Sequence, residues 1–359
     1  MTAANFWRGR RVLVTGHTGF KGAWLSFWLR EEGAEVFGYA LNPPTEPSLF
    51  DVARIGSLVA ADVRADIRDP SALRDALSRA RPEIVFHLAA QSIVRLSYSI
   101  PVETFSVNVM GTAHVLDAIR QAPSVRAAVI VTSDKCYENA GEGQPYRETD
   151  PMGGSDPYSA SKGCAELVVA SFRASAPALA PHSNFAVASV RSGNVVGGGD
   201  WSPDRLVPDC IRAFVVGAPV KLRNPGAVRP WLHVLEPLAG YLEVAQRLLG
   251  PNSTRYATAF NFGPHAANDA KVLWVAQTVA GLWGGGARVE IVGGASLPEA
   301  AMLRLDSTKA IQMLGWKPRW NLTETLERAV EWYGAWQQGR DLRQLMKRQL
   351  GDFAAKTAT

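Results

Sequence analysis

The first recognisable folding unit is Arg11-Val12-Leu13-Val14-Thr15-Gly16-His17-Thr18-Gly19-Phe20-Lys21-Gly22. Its first five residues form a short apolar, β-branched run, which is typical of a buried parallel strand. Glycines follow at every third position, and a helical pattern covers residues 23–32 before Gly33 stops it. A strand, a glycine turn and a helix in this order predict the first crossover of an α/β sheet.

Beyond this unit, strand-like and helical segments alternate as far as residue 191. The predicted strands cover residues 34–41, 58–62, 83–88, 125–132 and 186–191, and the predicted helices cover residues 69–79, 102–121 and 158–174. Alternation of this kind predicts a Rossmann-type doubly wound parallel sheet with right-handed crossovers. A ligand is expected at the carboxyl ends of its strands.

The glycine turn has the features of a dinucleotide-binding turn. Its first glycine allows a tight turn, the second lets the backbone approach a pyrophosphate, and the third lets helix and strand pack closely. An ordinary glycine-rich turn is the alternative, and the position between a strand and a helix disfavours it. The expected cofactor contacts are Gly16, Thr18, Gly19, Phe20, Gly22, Asp66, Ile67, Leu88, Ala89, Ala90, Tyr158 and Lys162.

The end of the predicted second strand bears on the choice between NAD and NADP. A carboxylate is expected there, about 20 residues after the glycines, to bind the ribose of NAD. The sequence reads Gly38-Tyr39-Ala40-Leu41-Asn42, without an acid or a base, and Asn42 could bond a ribose hydroxyl. Because no cation is placed to hold a 2′-phosphate, NAD is the predicted cofactor.

The chemistry is predicted to lie between Ser133, at the end of the fifth strand, and the helix that contains Tyr158 and Lys162. These last two residues are four apart and share one helical face. A phenol is a weak base, but a nearby ammonium and a positively charged nicotinamide would lower its pKa. Tyr158 could then take a proton from a sugar hydroxyl while Ser133 hydrogen-bonds the same oxygen. The alternative, that Tyr158 and Lys162 only cover a surface helix, is disfavoured by the glycine turn upstream.

After residue 192 the composition changes, and Gly, Pro and Trp become frequent, as in Gly197-Gly198-Gly199-Asp200-Trp201. Helical stretches at 208–216, 234–249 and 323–338 are separated by loops. We expect a Rossmann domain over residues 1–192 and a smaller mixed α/β domain over residues 193–359, with some chain crossing between them. The apolar spacing at residues 340–350 predicts a helix that docks on the fold, with partner binding as the alternative.

The bulk composition excludes several classes of protein. The chain has 359 residues, 47% hydrophobic and 20% charged, which are globular values. Its net charge of +5 is scattered, so a phosphate-bearing small molecule is a better expected partner than nucleic acid. Cys136, Cys164 and Cys210 lack the spacing of a zinc site, and reduced thiols in a cytoplasmic protein are expected. No cluster of His, Cys and Asp suggests a metal site. A membrane partner is not expected either, since no apolar run approaches the ~18 residues of a membrane span.

Taken together, TGxxGxxG, HLAA, the hydroxyl residue that ends a strand, and YxxxK resemble the extended short-chain dehydrogenase/reductase family. Within that family the chain resembles the CDP-glucose 4,6-dehydratases along nearly its whole length. The segments that carry this closer resemblance are Gly16-His17-Thr18-Gly19-Phe20-Lys21-Gly22, Leu41-Asn42-Pro43-Pro44-Thr45, His87-Leu88-Ala89-Ala90-Gln91, Ser133-Asp134-Lys135, Arg191-Ser192-Gly193-Asn194-Val195-Val196-Gly197-Gly198-Gly199-Asp200-Trp201, Arg229-Pro230-Trp231 and Leu314-Gly315-Trp316-Lys317-Pro318.

The resemblance implies conversion of CDP-glucose to CDP-4-keto-6-deoxyglucose and water, by hydride transfer through a tightly held NAD, for deoxysugar and lipopolysaccharide biosynthesis. It implies that Asp134 is the acid for the departing hydroxyl. Lys135 stands where the dTDP-glucose enzymes have the carbon-5 base. It would act as that base when neutral, a state that the positive charge of Lys162 favours, or would stabilise an enolate while water or Asp134 moves the proton. A loop salt bridge between Asp134 and Lys135 is the structural alternative.

The resemblance also implies a nucleotide-sugar site in the second domain and a homodimer or homotetramer formed through helices 102–121 and 158–174. Asn194 and Arg229 would contact the diphosphate, and Gln91 the sugar or the cofactor. His17 is expected near the phosphates, and His233 is as well explained by packing. An epimerase or reductase of the same family needs no acid beside Ser133, and a non-catalytic dinucleotide sensor would not need Tyr158 and Lys162; these are the alternative functions.

Overall fold

The computed structural model describes residues 5–139, 144–179, 185–293 and 303–356. Its principal sheet is built from strands β1 to β6 and a later strand, β11. The strands of the chain are β1 (Arg11–Thr15), β2 (Glu35–Ala40), β3 (Ala61–Arg64), β4 (Ile84–His87), β5 (Ala127–Val131), β6 (Ala186–Arg191), β7 (Val195–Val196), β8 (Val220–Leu222), β9 (Val228–Pro230), β10 (Leu232–His233), β11 (Ala259–Asn261), β12 (Asp269–Lys271) and β13 (Val289–Ile291).

Within the described residues the principal sheet has seven parallel strands in the order β11-β6-β5-β4-β1-β2-β3. The order reverses at β1 and β4, which creates a crevice at the carboxyl ends of these two strands. The predicted Rossmann-type doubly wound sheet is therefore confirmed. Strands β1 and β6 have the predicted bounds, whereas β3 begins three residues later than predicted and its side chains are only partly buried.

Helices cover both faces of the sheet. They are α1 (Phe20–Glu31), α2 (Leu49–Val52), α3 (Pro70–Ala80), α4 (Val94–Ser99), α5 (Pro101–Phe105), α6 (Gly111–Arg120), α7 (Pro157–Leu179), α8 (Leu206–Val215), α9 (Leu235–Leu249), α10 (Ser253–Tyr256), α11 (Val272–Trp283), α12 (Thr308–Leu314), α13 (Leu322–Gln337) and α14 (Leu342–Ala355). A π-helical segment, Ser106–Met110, joins α5 to α6.

Local sequence explains where several helices begin. Asp69 caps α3 by accepting hydrogen bonds from the backbone N–H groups of Ser71 and Ala72, and Pro70 supplies a fixed φ at the first helical position. Asp156 similarly accepts from the N–H of Ser159 at the start of α7. The chain can therefore enter each helix without leaving its first donors unpaired.

The two faces of the sheet have separate apolar cores. One core packs α3, α6 and α7 against one face. The other packs α1 and α9 against the opposite face and continues into the C-terminal part of the chain. Helix α9 and strand β11 both come from beyond residue 192, so the chain crosses back into the sheet after the predicted domain boundary.

In its described residues the C-terminal part adds three small two-stranded sheets, which pair β10 with β7, β12 with β9, and β13 with β8. The predicted C-terminal docking helix is α14, whose residues Leu342, Leu345, Met346 and Leu350 are buried in the core. Among the residues described, no helix combines the length and apolarity that crossing a membrane requires.

Candidate active site

The glycine turn lies at the carboxyl end of β1, directly beside the residues that follow β4. Gly16 has a φ of +75°, and a Cβ there would lie 2.7 Å from the backbone nitrogen of Ala89. A Cβ at Gly22 would lie 2.1 Å from the carbonyl oxygen of Gly16. Helix α1 starts at Phe20 with Gly19 as its N-cap and no capping side chain. The predicted turn residues and Leu88-Ala89-Ala90 therefore share one edge of the crevice, where helical N–H groups are available to an anion.

The other predicted cofactor contacts lie along the same edge. The Thr18 hydroxyl donates a hydrogen bond to the carbonyl of Leu41 at the end of β2, 3.0 Å away. The guanidinium of Arg68 donates to the Asp66 carboxylate at 2.6 Å and holds the pKa of that carboxyl below its usual value. Ile67 is buried and packs against the start of α6, so only its backbone could contact a ligand.

The end of β2 itself carries neither an acid nor a cation, as predicted, but the expectation that no cation lies nearby is wrong. Strand β3 pairs with β2 and contributes both, because the register places Asp62 opposite Gly38 and Arg64 opposite Ala40. Arg64 Nη1 donates to the carbonyl of Leu41 at 3.3 Å. Asn42 is exposed beside this point.

Ser133 and Tyr158 meet at the carboxyl end of β5. Ser133 directly precedes the short 3₁₀ turn Asp134–Cys136, and its oxygen accepts a hydrogen bond from the Lys135 backbone N–H at 3.2 Å. Its side chain is also hydrogen-bonded to that of Tyr158. Both residues are buried, so a substrate hydroxyl placed between them would be shielded from water.

In the protein without ligands, the pKa of Tyr158 is raised, so the lowering predicted from Lys162 and a bound nicotinamide together is not seen in the protein alone. Burial raises the pKa of Tyr158 to about 12, and the hydrogen bond with Ser133 offsets only part of that effect. Lys162 Nζ donates to the carbonyl of Val131 at 3.4 Å. Burial lowers the pKa of Lys162 to about 8, although the nearby Glu166 carboxylate favours the charged amine.

Asp134 is a buried carboxyl group at the bottom of the site. It accepts a hydrogen bond from the Ser133 hydroxyl at 3.0 Å. A Cβ on Gly193 would lie 1.8 Å from Asp134 Oδ2, so the glycine after β6 provides the room for this carboxylate. Lys135 is partly buried in the same turn. Among the described residues, Asp134 and Lys135 do not form an ion pair with each other, which argues against the salt-bridge alternative.

Sequence reasoning missed two cations of the site, Lys21 and Arg205. Lys21 extends from the second residue of α1, and its Nζ donates to the Ser192 hydroxyl at 2.9 Å. Burial, with a further contribution from Arg205, lowers the pKa of Lys21 to about 7, while Asp134 acts in the opposite direction. Arg205 pairs with Asp200 at 2.7 Å and lies close enough to act electrostatically on Tyr158. The signal for Lys21 was its position: it is a charged residue between Gly19 and Gly22 of the glycine turn, directly before an apolar helical stretch.

A third missed residue, Asn108, lies in the π-helical segment. Its side-chain N–H groups donate to the carbonyl of Gln91 at 3.0 Å and to the hydroxyl of Ser161 at 2.9 Å. Its Oδ1 accepts from the Gln91 backbone N–H. Asn108 thus ties the loop after β4 to the helix that contains Tyr158. The signal was a polar residue flanked on both sides by valine, Val107 and Val109, within the predicted helix.

A buried ion pair lies beneath these groups. Glu166, one turn after Lys162, accepts from Arg191 at 2.7 Å and from the hydroxyls of Thr132 and Ser189. Arg191 also donates to the hydroxyl of Tyr137. Hydrogen bonds from Arg191 and its positive charge hold the pKa of Glu166 below its usual value, despite the opposing effect of burial. The pair fixes the carboxyl ends of β5 and β6 relative to α7.

The predicted substrate residues have different surroundings. The side-chain amide of Gln91 donates to the carbonyl of Ile93 and to the hydroxyl of Thr104, so it orders its own loop. Its contact with the sugar or the cofactor stays a prediction. Asn194 follows β6 with a φ of +47°.

Arg229 lies on β9 and donates to the carbonyl of Val228. His233 is buried against Trp320 with a ring separation of 4.6 Å, which matches the packing explanation. Among the described residues, no three His, Cys, Asp or Glu side chains come together as potential metal ligands.

The chain matches known proteins along most of its length. The family model described as GDP-mannose 4,6 dehydratase matches residues 13–329. The chain is 50% identical over 359 residues to a CDP-glucose 4,6-dehydratase of Salmonella typhimurium, covering 99% of each chain. Among solved structures it resembles the UDP-glucose 4-epimerase of Thermus thermophilus in complex with NAD, with a TM-score of 0.75 and 26% identity over 90% of this chain and 99% of that one.

It also shares the fold of a dTDP-glucose 4,6-dehydratase from Bacillus anthracis in complex with NAD, with a TM-score of 0.73 and 21% identity over 91% of this chain and 97% of that one. The predicted family resemblance is confirmed by these matches. The chain belongs to the GDP-mannose 4,6 dehydratase family of nucleotide-sugar dehydratases, within the extended short-chain dehydrogenases/reductases.

Proposed function

We propose that the chain converts CDP-glucose to CDP-4-keto-6-deoxyglucose and water, with NAD as a cofactor that is regenerated in each turnover. The observation that carries this proposal is the 50% identity over 99% of the chain to a protein named CDP-glucose 4,6-dehydratase. The buried arrangement of Ser133, Asp134 and Tyr158 supports it, because an internal dehydration needs both a base and an acid. The product would enter deoxysugar and polysaccharide biosynthesis.

The residues at the crevice fit NAD. The turn around Gly16 and Gly19 exposes uncapped helical N–H groups, which suit a pyrophosphate. Arg68 lowers the pKa of Asp66, so this carboxylate is charged and would suit the amino group of an adenine, and Ala89 and Ala90 after β4 are small. When bound, NAD would supply the acceptor and donor of the hydride that leaves carbon 4 and returns to carbon 6.

Tyr158, Ser133 and Lys162 are proposed to handle the proton of the carbon-4 hydroxyl. Tyr158 would take that proton, and Ser133 would hydrogen-bond the same oxygen. The side chains of Tyr158 and Ser133 are hydrogen-bonded to each other, so both can reach one substrate oxygen. The positive charge of Lys162, which lies one helical turn from Tyr158, would stabilise the phenolate. Carbon 4 stays a ketone in the product, so Tyr158 would pass this proton on, to the departing water or back to carbon 5, before the next turnover.

Asp134 and Lys135 are proposed to handle the elimination. Asp134 would donate a proton to the carbon-6 hydroxyl, which leaves as water, and its burial beside Tyr158 supports that position. Lys135 would either remove the carbon-5 proton as a neutral amine or stabilise the enolate of the 4-ketone, with water or Asp134 moving the proton. The side chain of Lys135 is partly buried in the turn that holds Asp134, which is compatible with both roles.

The nucleotide diphosphate is proposed to lie against Asn194, Arg229 and the newly identified Arg205. A guanidinium can donate two hydrogen bonds to phosphate oxygens, which makes the arginines suitable partners. Arg205 lies on the same side of the site as Tyr158 and is about one-third exposed, so it can meet a ligand.

The test is product formation from CDP-glucose, followed by the near-ultraviolet absorbance that a 4-keto-6-deoxy sugar develops in alkali. We expect this product without net formation of reduced cofactor, and less product from UDP-, dTDP- or GDP-glucose. Replacement of Tyr158 by Phe should lower turnover by roughly 10²–10⁴-fold. A 4-epimer as the only product would support the epimerase alternative, and full activity of Y158F would contradict the proposed proton transfer.

We also propose a homodimer, with a homotetramer as the alternative assembly, in the cytoplasm. Large apolar side chains are exposed on α5, the π-helical segment and α7, including Val102, Met110 and Leu167 at 81%, 51% and 60%. Three unpaired cysteines support a reducing compartment. Light scattering on the purified protein tests the assembly, and Val102→Glu with Leu167→Glu should shift it toward monomer. A monomer at all concentrations would contradict the assembly.

A further inference from the structure

The charged residues nearest the expected ribose position lie on β3, whereas the dinucleotide-binding pattern places them at the end of β2. In Rossmann-type sheets a carboxylate at the end of the second strand binds the ribose of NAD, and an arginine nearby accommodates the 2′-phosphate of NADP. In this chain β2 ends without either group. The neighbouring β3 supplies both Asp62 and Arg64, two residues apart and therefore on one face of the sheet.

Asp62 and Arg64 form a two-point ion pair. Arg64 Nε lies 2.7 Å from Asp62 Oδ1, and Arg64 Nη2 lies 2.7 Å from Asp62 Oδ2. The remaining guanidinium nitrogen, Nη1, reaches the carbonyl of Leu41, which also accepts from the hydroxyl of Thr18 in the glycine turn. The guanidinium therefore lies between the end of β2 and the glycine turn, where the ribose of a bound dinucleotide is expected.

His17 fixes the carboxylate of this pair. Its Nε2 is 2.8 Å from Asp62 Oδ1 and its ring is fully buried. Gly38 provides the space for the ring, because a Cβ there would lie 2.3 Å from His17 Cδ2. Asp62 and Arg64 remain about 29% and 31% exposed, so both are accessible to a ligand.

We propose that the Asp62–Arg64 pair determines which nicotinamide dinucleotide binds, a proposal that rests on the proposed dehydratase function. Asp62 occupies the guanidinium with two hydrogen bonds and places a negative charge at the ribose end. A 2′-phosphate would have to displace this carboxylate and would be repelled by it, so NAD binds and NADP is rejected. Neutralising Asp62 frees Arg64 for the 2′-phosphate without removing the hydrogen-bonding shape of the side chain.

The experiment is calorimetric binding of NAD⁺ and NADP⁺ to the whole protein, freed of cofactor and without nucleotide sugar. The readout is the ratio of the NADP⁺ to the NAD⁺ association constant. Asp62→Asn should raise this ratio by about tenfold or more, the effect of one charge-assisted hydrogen bond. Addition of Arg64→Met to D62N should abolish that gain, and Arg64→Met alone should leave the ratio at or below that of the unchanged protein.

Glu35→Gln is the matched control. Glu35 pairs with Arg11 at 2.8 Å at the opposite, amino end of the same sheet region and has similar exposure. Its substitution should not change the ratio.

A ratio within threefold of the unchanged protein in D62N would overturn the inference. If D62N binds neither dinucleotide, Arg64→Met decides, because an increase of the ratio in that variant contradicts the inference. If the unchanged protein turns over CDP-glucose but D62N does not change the ratio of the NADP⁺ to the NAD⁺ association constant, this inference is refuted and the proposed function stands. A protein that binds neither dinucleotide before any substitution refutes the proposed function as well.

Discussion

Substitution of Gly193 by Ala should separate Asp134 from the rest of the proposed active site. A methyl group on Gly193 would lie 1.8 Å from Oδ2 and 2.1 Å from Cγ of the Asp134 carboxylate. An ordinary contact is at least about 3.4 Å, so the carboxylate has to move by roughly 1.5 Å. Gly193 does not have a positive φ, so the substitution adds a clash without backbone strain.

A shift of this size should slow formation of the 4-keto-6-deoxy product roughly 100-fold, since displacement of a catalytic group by about 1 Å has effects of that order. The overpacking should also lower the free energy of unfolding by about 1–3 kcal/mol. If Asp134 acts only in the elimination, oxidation of carbon 4 continues. The reduced cofactor should then accumulate in a single turnover, where its absorbance can be followed.

The matched control is Gly281→Ala in helix α11. No atom lies within 4 Å of a Cβ at this position, and its φ is also not positive. This substitution should leave turnover unchanged and stabilise the protein slightly, by about 0.5–1 kcal/mol. Turnover by G193A within threefold of the unchanged enzyme, with circular dichroism unaltered, would refute the role and position assigned to Asp134.

Two further substitutions test buried carboxylates outside the reacting groups. Burial raises the pKa of Glu236 to about 7, so the folded state keeps a proton that the unfolded chain loses at about 4.5, and stability present below pH 4.5 is lost as the pH rises through 7. Glu236→Gln should remove this loss. The difference in free energy of unfolding between the variant and the unchanged protein, measured by urea titration, should therefore shift in favour of the variant by roughly 3 kcal/mol from about pH 4 to pH 9. Parallel pH curves for the two proteins would contradict the argument. Glu166→Gln should cost about 3–5 kcal/mol by leaving Arg191 buried without its counter-charge. Glu83→Gln, in a pair whose side chains are 29% and 32% exposed, should cost at most about 1 kcal/mol. Equal losses would contradict the assigned importance of burial.

Local signals predicted those elements whose boundaries are set by neighbouring residues. Strand β1 was predicted at its observed bounds because an apolar β-branched run ends at a glycine with positive φ. Helix α3 was predicted from Asp69-Pro70, which provide the N-cap and the first helical residue. Ser133, Tyr158 and Lys162 were predicted from sequence and lie close together, because the ends of parallel strands and the following helices meet at one edge of the sheet.

Long-range pairing limited the prediction elsewhere. Strand β11 is three residues long and pairs with β6 from about 70 residues away, so no local pattern marks it as part of the sheet. Asp62 and Arg64 were missed at the cofactor site because their importance depends on the register between β2 and β3, which is not visible in either strand alone. Arg205 was missed because it reaches the site from a loop beyond β6, and its place there depends on how distant parts of the chain pack together.

The electrostatics of the site indicate when Tyr158 can become a base. A pKa of about 12 means that the phenolate costs roughly 5 kcal/mol at about pH 8. The chain's own amines can offset only part of this cost, because burial lowers the pKa of Lys162 to about 8 and that of Lys21 to about 7, so near this pH each is partly neutral. Arg205 remains charged but is neutralised by Asp200 at 2.7 Å. The additional positive charge that favours the phenolate would therefore come from the oxidised nicotinamide, since the diphosphate of the sugar substrate is negative, and we expect proton removal only when the oxidised cofactor is bound.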